Sequence, residues 1–479
     1  MPRPGTVVTL RETPPPASAP ADTTTWFALG LCQMGPRYAV RISSLAEFER
    51  IFGTRQAYSI LWDALDVFFR EGGSSAYICR IVGPGATTGS HNLLDTTAGI
   101  SLVASAIGPG SYSTGIMVGV VAGVGAGTYR IQIADADSNI LEQSYDLATQ
   151  QAAVDWSKGS QYVTIALGAS TNNPTVANLA ALSAGNDDLA NVTDSQWVAA
   201  LDNFTADLGP GQVSAPGRTS DTVHVALLDH ADSHTRVALL DLIDTANTAT
   251  LTTAVVNGRV GNEQWGGAFA PWIIVPGITP GTTRTIPPSA LVAGLVARND
   301  PSLGPNQPSA GSFGVSRFAL DLSQNPWSDD DRSNLNTASV NVIIDRLGDI
   351  MVYGWRSMVD EISNPAWVDF ANSRLYVAIA AEADAVGELY VFQQLDGQGQ
   401  VIASFNGALT GMLLGFYTEG ALYGATSNDA FSVDTGSQVN TPDTLANNEL
   451  HAVLNVRMSP FAEMVAIEVV KTPITQAVT

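Results

Sequence analysis

Apolar residues follow two rhythms along this chain, and the switches between them divide it. Residues 26–32 are an apolar, strand-like run closed by the turn Met34-Gly35-Pro36. Residues 41–43 form a short strand. Ser44 with Glu47 three residues on predicts a capped helix to Phe52, ended by Gly53. Tyr58, Leu61, Leu65 and Phe68 recur three or four apart and predict a helix over 57–70, stopped at Glu71-Gly72-Gly73. A second apolar run covers 76–82. Strand, helix, strand in this order predicts a parallel crossover.

Over 90–185 the helical period fades and Gly, Ser and Thr rise. Residues 129–133 and 162–167 alternate, which predicts an inserted antiparallel β domain. From 190 the helix–strand rhythm returns. We expect helices over 195–207, 235–246 and 287–297, with strands over 223–228, 272–276, 340–344 and 350–353. This second α/β stretch is expected to share a sheet with 26–83. Residues 366–479 read as α+β: 374–382 as helix or mixed, 389–392 as the start of a helix or strand, and 452–457 and 464–470 as strands. The boundaries are therefore an arm and Pro-rich linker at 1–25, the first part of the α/β core at 26–89, an insert at 90–188, the rest of the α/β domain at 189–365, and a C-terminal domain at 366–479.

Both ends carry β-prone segments near prolines. Val7, Val8 and Leu10 precede Pro14, Pro15, Pro16 and Pro20. A polyproline spacer of a dozen residues extends roughly 37 Å, so this arm holds a strand away from its own body. Val465, Ile467 and Val469 form the matching C-terminal segment. Residues 1–20 do not have the pattern of a secretion signal.

Composition narrows the function classes. A chain of 479 residues is too long for one ordinary core and predicts two to four domains. Its net charge of −23 argues against nucleic acid and anionic membranes as partners. Lys158 and Lys471 are its only lysines, which nearly removes lysine chemistry. Cys32 and Cys79 lie in apolar runs and read as buried thiols. The glycine-rich apolar stretch 115–127 is too short to span a bilayer and reads as strand.

The chemical motifs are weak. His230 and His234 are spaced for one helix face, but Ala231 stands where a metalloprotease needs Glu. The loop from Gly209 to Thr219 has neither the spacing nor the lysine of a phosphate-binding loop. No G-x-S-x-G occurs, and none of the five histidines has flanks that suggest a triad. Asp329-Asp330-Asp331 reads as a solvated turn or helix start. We therefore expect no enzyme, no cofactor and no metal.

Ordered blocks along nearly the whole chain resemble the tail sheath family of contractile phages and related injection systems. They are Ala28-Leu29-Gly30, Met34-Gly35-Pro36, the run 42–53, the run 64–73 and the run 76–81. Further blocks are Ile286-Pro287-Pro288-Ser289 through Asp300, Leu335-Asn336 to Val340-Asn341, Tyr353 to Arg356, and Glu419 to Gly424. Ser339 stands where the family commonly has Gly. The resemblance implies a subtilisin-like α/β sheet domain without protease function, an inserted β-sandwich, and a C-terminal α+β domain nearest an inner tube, with extended terminal arms. It implies a subunit that polymerises with itself as helical stacked hexameric rings around a tail tube protein. Baseplate and tail terminator proteins would be further partners, and contraction would drive the tube through the target envelope without membrane insertion by the sheath. The location implied is a virion tail assembled in the host cytoplasm. Arm residues Val7, Val8, Leu10, Val465, Ile467 and Val469 would add strands to neighbouring subunits. A passive lattice protein and a secreted subtilisin-like hydrolase are the alternatives.

Overall fold

The computed structural model describes residues 22–468. They fall into two compact units, a larger one of 22–305 with 309–381 and a smaller one of 306–308 with 382–468.

The larger unit opens with β1 (Trp26–Leu31), β2 (Val40–Ile42), α1 (Leu45–Phe52), α2 (Leu61–Glu71) and β3 (Ala76–Ile81). An insert follows: β4 (Ser90–Leu94), β5 (Ile100–Ala106), β6 (Met117–Ala122), β7 (Tyr129–Ala134), β8 (Ile140–Gln143), α3 (Gln150–Ser157), β9 (Val163–Leu167) and β10 (Ala177–Ala181). The chain then returns through α4 (Asp194–Ala200), β11 (Gly211–Ser214), α5 (Asp221–Ser233), β12 (Arg236–Asp241), α6 (Thr248–Asn257) and β13 (Gly266–Ala270). It continues as β14 (Ile273–Pro276), β15 (Thr283–Ile286), α7 (Pro288–Leu303), β16 (Asp321–Leu322), α8 (Asp329–Thr337), β17 (Val340–Arg346) and β18 (Asp349–Val352).

One eight-stranded sheet organises this unit, in the order β18-β17-β13-β12-β11-β1-β3-β2. All its pairings are parallel except those of the flanking strands β18 and β2. The crossover expected between the first two apolar runs is present, with Trp26 to Leu31 in register with Ala76 to Ile81. Residues from 189 onward do share this sheet, because β1 is flanked by β3 on one side and β11 on the other. Strands buried on both faces read as near-continuous apolar runs, and β12, buried at every position, has four apolar residues between Arg236 and Asp241 at its ends. At the centre, the Trp26 indole donates to the Ser214 hydroxyl at 2.8 Å.

Two of our element assignments are exchanged in the structure. Residues 223–228, expected as a strand, lie within helix α5, and 236–241, expected as helix, form strand β12. The helix is started by Ser220, whose hydroxyl accepts from the Val223 amide, and that cap outweighs the β-branched residues. The strand is a short run with four apolar residues between Arg236 and Asp241, and its period cannot be told from that of a buried helix. Residues 273–276 do form a strand, but in a small antiparallel sheet, β15-β14-β16, outside the main one. The helix expected over 195–207 ends at Ala200 and gives way to short 3-10 turns.

In the insert, sheet β4-β5-β9 and sheet β10-β6-β7-β8 bury one common core that includes Leu102, Val118, Ile131, Ile133 and Val163. The insert is tied to the main sheet by Arg80. Its guanidinium donates to the carbonyls of Cys32, Gly35 and Pro109 (3.2, 3.0 and 2.7 Å) and pairs with Asp187.

Helix α9 (Phe370–Glu388) begins in the larger unit and ends in the smaller. The smaller unit also holds α10 (Gln400–Thr418), α11 (Ser427–Ala430), β19 (Phe431–Asp434), α12 (Pro442–Ala446) and β20 (Val453–Val456). Phe405, Leu409, Leu413 and Phe416 recur three or four apart as the buried stripe of α10. Residues 389–392 begin neither helix nor strand. They form a turn in which Phe392 has φ +63° and a fully exposed ring.

Candidate assembly surface

In open parallel sheets, ligands bind outside the carboxyl ends of the strands, where the winding reverses. Here that point lies between β1 and β11, and the loop 215–218 leaves β11 at this place. The crevice is closed by protein. The Cα of Gly217 faces the Ile60 and Trp272 side chains, which a Cβ at Gly217 would touch at 3.3 and 3.5 Å. The Gly217 amide donates to Asp241 at 2.9 Å, and Arg218 pairs with Asp194 over the Trp197 ring. No phosphate cradle remains. The segment contributes a central strand, Gly211–Ser214, as well as the connecting turn we expected.

Asp241 itself is buried at the end of β12. It accepts from the Gly217 amide and from the amide and hydroxyl of Ser289 (2.7 and 2.8 Å). Burial without a cation pushes its carboxyl up to about 6.

The histidine pair lies at the end of α5, with rings stacked at 4.2 Å. The His230 Nε2 sits 2.8 Å from the Arg236 guanidinium, and burial holds this imidazole down to about 3. Arg236 is fully buried against the Phe27 ring and donates to the carbonyls of Phe204, Thr205 and Gly209. The neighbouring acids are engaged too, Asp229 by Asn262 and Asp232 by Trp265. A cation beside a guanidinium is electrostatically unfavourable, and this cluster is a helix terminus locked to a strand. Among the described residues, no group of three or more His, Cys, Asp or Glu could hold a metal ion. Asp329, Asp330 and Asp331 open helix α8 under a Ser328 capping box. Cys32 and Cys79 are buried free thiols, raised by desolvation.

What the described surface does offer is unpaired strand. In the smaller unit, β19 and β20 form a two-stranded antiparallel sheet, with Phe431 opposite Val456 and Asp434 opposite Val453. Val433 and Leu454 turn inward toward the core of α10, and no third strand joins either edge among the described residues. A two-stranded ribbon is marginal alone, and an open edge is a template for another chain. After β20 the chain crosses back past Leu422 and then, as far as 468, pairs with no other described strand. Of the expected C-terminal strand, 464–468 are described: they make no ladder with any described residue, and Val465 and Ile467 are 75% and 82% exposed. Val7, Val8, Leu10 and Val469 lie outside the described residues.

Sequence reading missed β19, whose four residues alternate too briefly to register, and also the arginine locks. Arg80 and Arg236 sit in apolar runs, which is the signal that could have marked them as buried.

Neither a protein-family model nor a curated protein matches the chain. Solved structures do. The helical sheath of the anti-feeding prophage in its contracted state matches with TM-score 0.60 at 15% identity, over 98% of this chain and 99% of that one. The sheath complex of an extracellular contractile injection system, PVC, also in its contracted state, matches with TM-score 0.58 at 13% identity, over 98% of both chains. A sheath tail protein from Listeria innocua matches with TM-score 0.61 at 13% identity, over 92% of this chain and 96% of that one. At such identities the likeness is one of fold, and it extends over nearly the whole chain.

Proposed function

We propose that this chain is the structural subunit of a contractile tail sheath. It polymerises as a helix of stacked hexameric rings around an inner tube and shortens to drive that tube through a target cell envelope. The observation that carries this reading is the near-complete correspondence of fold, over 98% of this chain, with a sheath in its contracted state.

The open strands support it. An extended peptide added to a sheet edge gains main-chain hydrogen bonds, while its spacer lets the joined bodies shift. In this reading Val7, Val8 and Leu10 of one subunit and Val465, Ile467 and Val469 of another are donated strands, and the ribbon β19–β20 receives them. Free energy for contraction is stored in the extended lattice and needs no nucleotide, which agrees with the closed crevice at the β1/β11 switch point. The larger unit is read as a subtilisin-like sheet with no catalytic role. Tail tube, baseplate and tail terminator proteins are the partners, and the tail of a phage or related particle, assembled in the host cytoplasm, is the location.

Negative-stain electron microscopy of the purified full-length protein tests this. Hollow, helically striated tubes are expected. Monomers alone, at high concentration with magnesium, would count against self-assembly as a property of this chain.

A further inference from the structure

The β19–β20 ribbon has a charged outer face with one unusual member. Val433 and Leu454 pack on the core of α10, and alternation places Phe431 and Val456 on that same side. The outer side carries Ser432 and Asn455, joined by a hydrogen bond at 3.4 Å. The Arg457 amide donates to the Ala430 carbonyl at 2.8 Å, so the ladder runs one residue past β20 and Arg457 continues the outer face. Between 382 and 468, Arg457 is the only arginine or lysine, while Asp and Glu recur throughout. It is exposed, and its guanidinium makes no hydrogen bond or ion pair among the described residues. Several carboxylates of the same unit are committed elsewhere: Asp396 to the Val401 amide, Asp429 to Thr426, Asp434 to the Gly436 amide and Glu449 to His451.

Residues 464–468 carry the complement. All are exposed, and Val465 and Ile467 alternate with Met464, Ala466 and Glu468. The Glu468 carboxylate likewise makes no hydrogen bond or ion pair among the described residues. Laid parallel to β20, residues 464–468 match 453–457 position for position. Val465 then falls opposite Leu454 and Ile467 opposite Val456, on the side that faces the core. Ala466 falls opposite Asn455 and Glu468 opposite Arg457, on the outer side. An antiparallel alignment that joins Glu468 to Arg457 carries 464–467 past the end of β20, opposite 458–461. The parallel alignment therefore satisfies the apolar face and the charge together. It cannot be made within one chain, because parallel neighbours need a crossover of roughly a dozen residues and only 458–463 lie between.

We propose that Glu468 of one copy pairs with Arg457 of another, and that this pair sets the register of the exchanged C-terminal strand, parallel to β20. The occupant of the β20 edge is a second copy of this chain. The inference rests on the polymerising role proposed above and names the residues that fix one of its contacts. Alternation alone would tolerate a slip of two residues, since either register turns valine and isoleucine inward. A single opposite charge pair removes that ambiguity.

The test uses the full-length protein, with critical concentration measured by sedimentation and the monomer fold checked by circular dichroism. Arg457→Glu and Glu468→Arg each set like charges opposite one another. Each is expected to raise the critical concentration about five-fold, and the doubly reversed variant to return within about two-fold of the parent. A second variant, Asn455→Cys/Ala466→Cys, reads the register directly: mild oxidation is expected to cross-link copies in the polymer, and Cys32 and Cys79 are buried and do not compete. Single reversals that polymerise like the parent, or loss without rescue in the double variant, would overturn the pairing and leave the sheath role standing. Polymers of the cysteine variant that do not cross-link would overturn the parallel register. A parent that never polymerises would overturn the sheath reading and this contact with it.

Discussion

Asp241 shows how one side chain can record the cost of a buried network. Its folded-state carboxyl titrates near 6, against about 3.9 in an unfolded chain, because burial outweighs the three donors it meets. The folded protein therefore holds its proton more tightly. That stabilisation is complete below about pH 4 and is lost as pH rises through 6. A two-unit displacement corresponds to roughly 3 kcal/mol. We expect Asp241→Asn to flatten the pH dependence of thermal unfolding between pH 4 and 7, whatever its effect on absolute stability. Parallel melting curves for parent and variant across that window would show that Asp241 does not titrate there. Ser339 is a second residue whose meaning lies in the backbone. It adopts φ +66° at a position where the resemblance implied Gly, and its hydroxyl donates to the Val359 carbonyl at 2.9 Å. The hydrogen bond offsets the left-handed strain that glycine would avoid.

At the scale of elements, the proposed strand exchange rests on the terminal arms and the β19–β20 ribbon. We expect removal of residues 1–20 to leave a folded, soluble monomer that no longer polymerises, because the larger unit's core is built from 26 onward. Light scattering from the truncated protein equal to that of the parent would refute the arm's role. Elements also show where periodicity stops being informative. Helix α1 was legible because Ser44 and Glu47 form its cap, and α2 because its apolar stripe spans three turns. Helix α5 and strand β12 were exchanged because short apolar runs fit either state, and only the Ser220 cap and burial on both faces separated them.

For the whole molecule, a charge of −23 sets a repulsion that any polymer must overcome. Exposed charges interact over a screening length of about 8 Å at physiological salt, and less as salt rises. Polymer yield should therefore increase between 0.05 and 0.5 M sodium chloride. A steady fall in turbidity over that range would mean that attractive ion pairs, not repulsion, dominate the lattice. The fold shared with contracted sheaths at 13–15% identity also shows how little sequence such a scaffold requires. A parallel sheet needs apolar runs and turns, not particular residues.

By itself the sequence determined the chain's organisation: an early crossover, a β-rich insert, a returning α/β stretch, and β-prone segments at both ends near prolines. These follow from local chemistry, since caps, turns and periodic burial act over a few residues. Only the tertiary structure decided the strand order that places β11 beside β1. It also decided the closure of the crevice by Ile60 and Trp272, and the burial of Arg80 and Arg236 as carbonyl locks. Each of those unites residues far apart in the chain, through pairing and packing that no local pattern encodes.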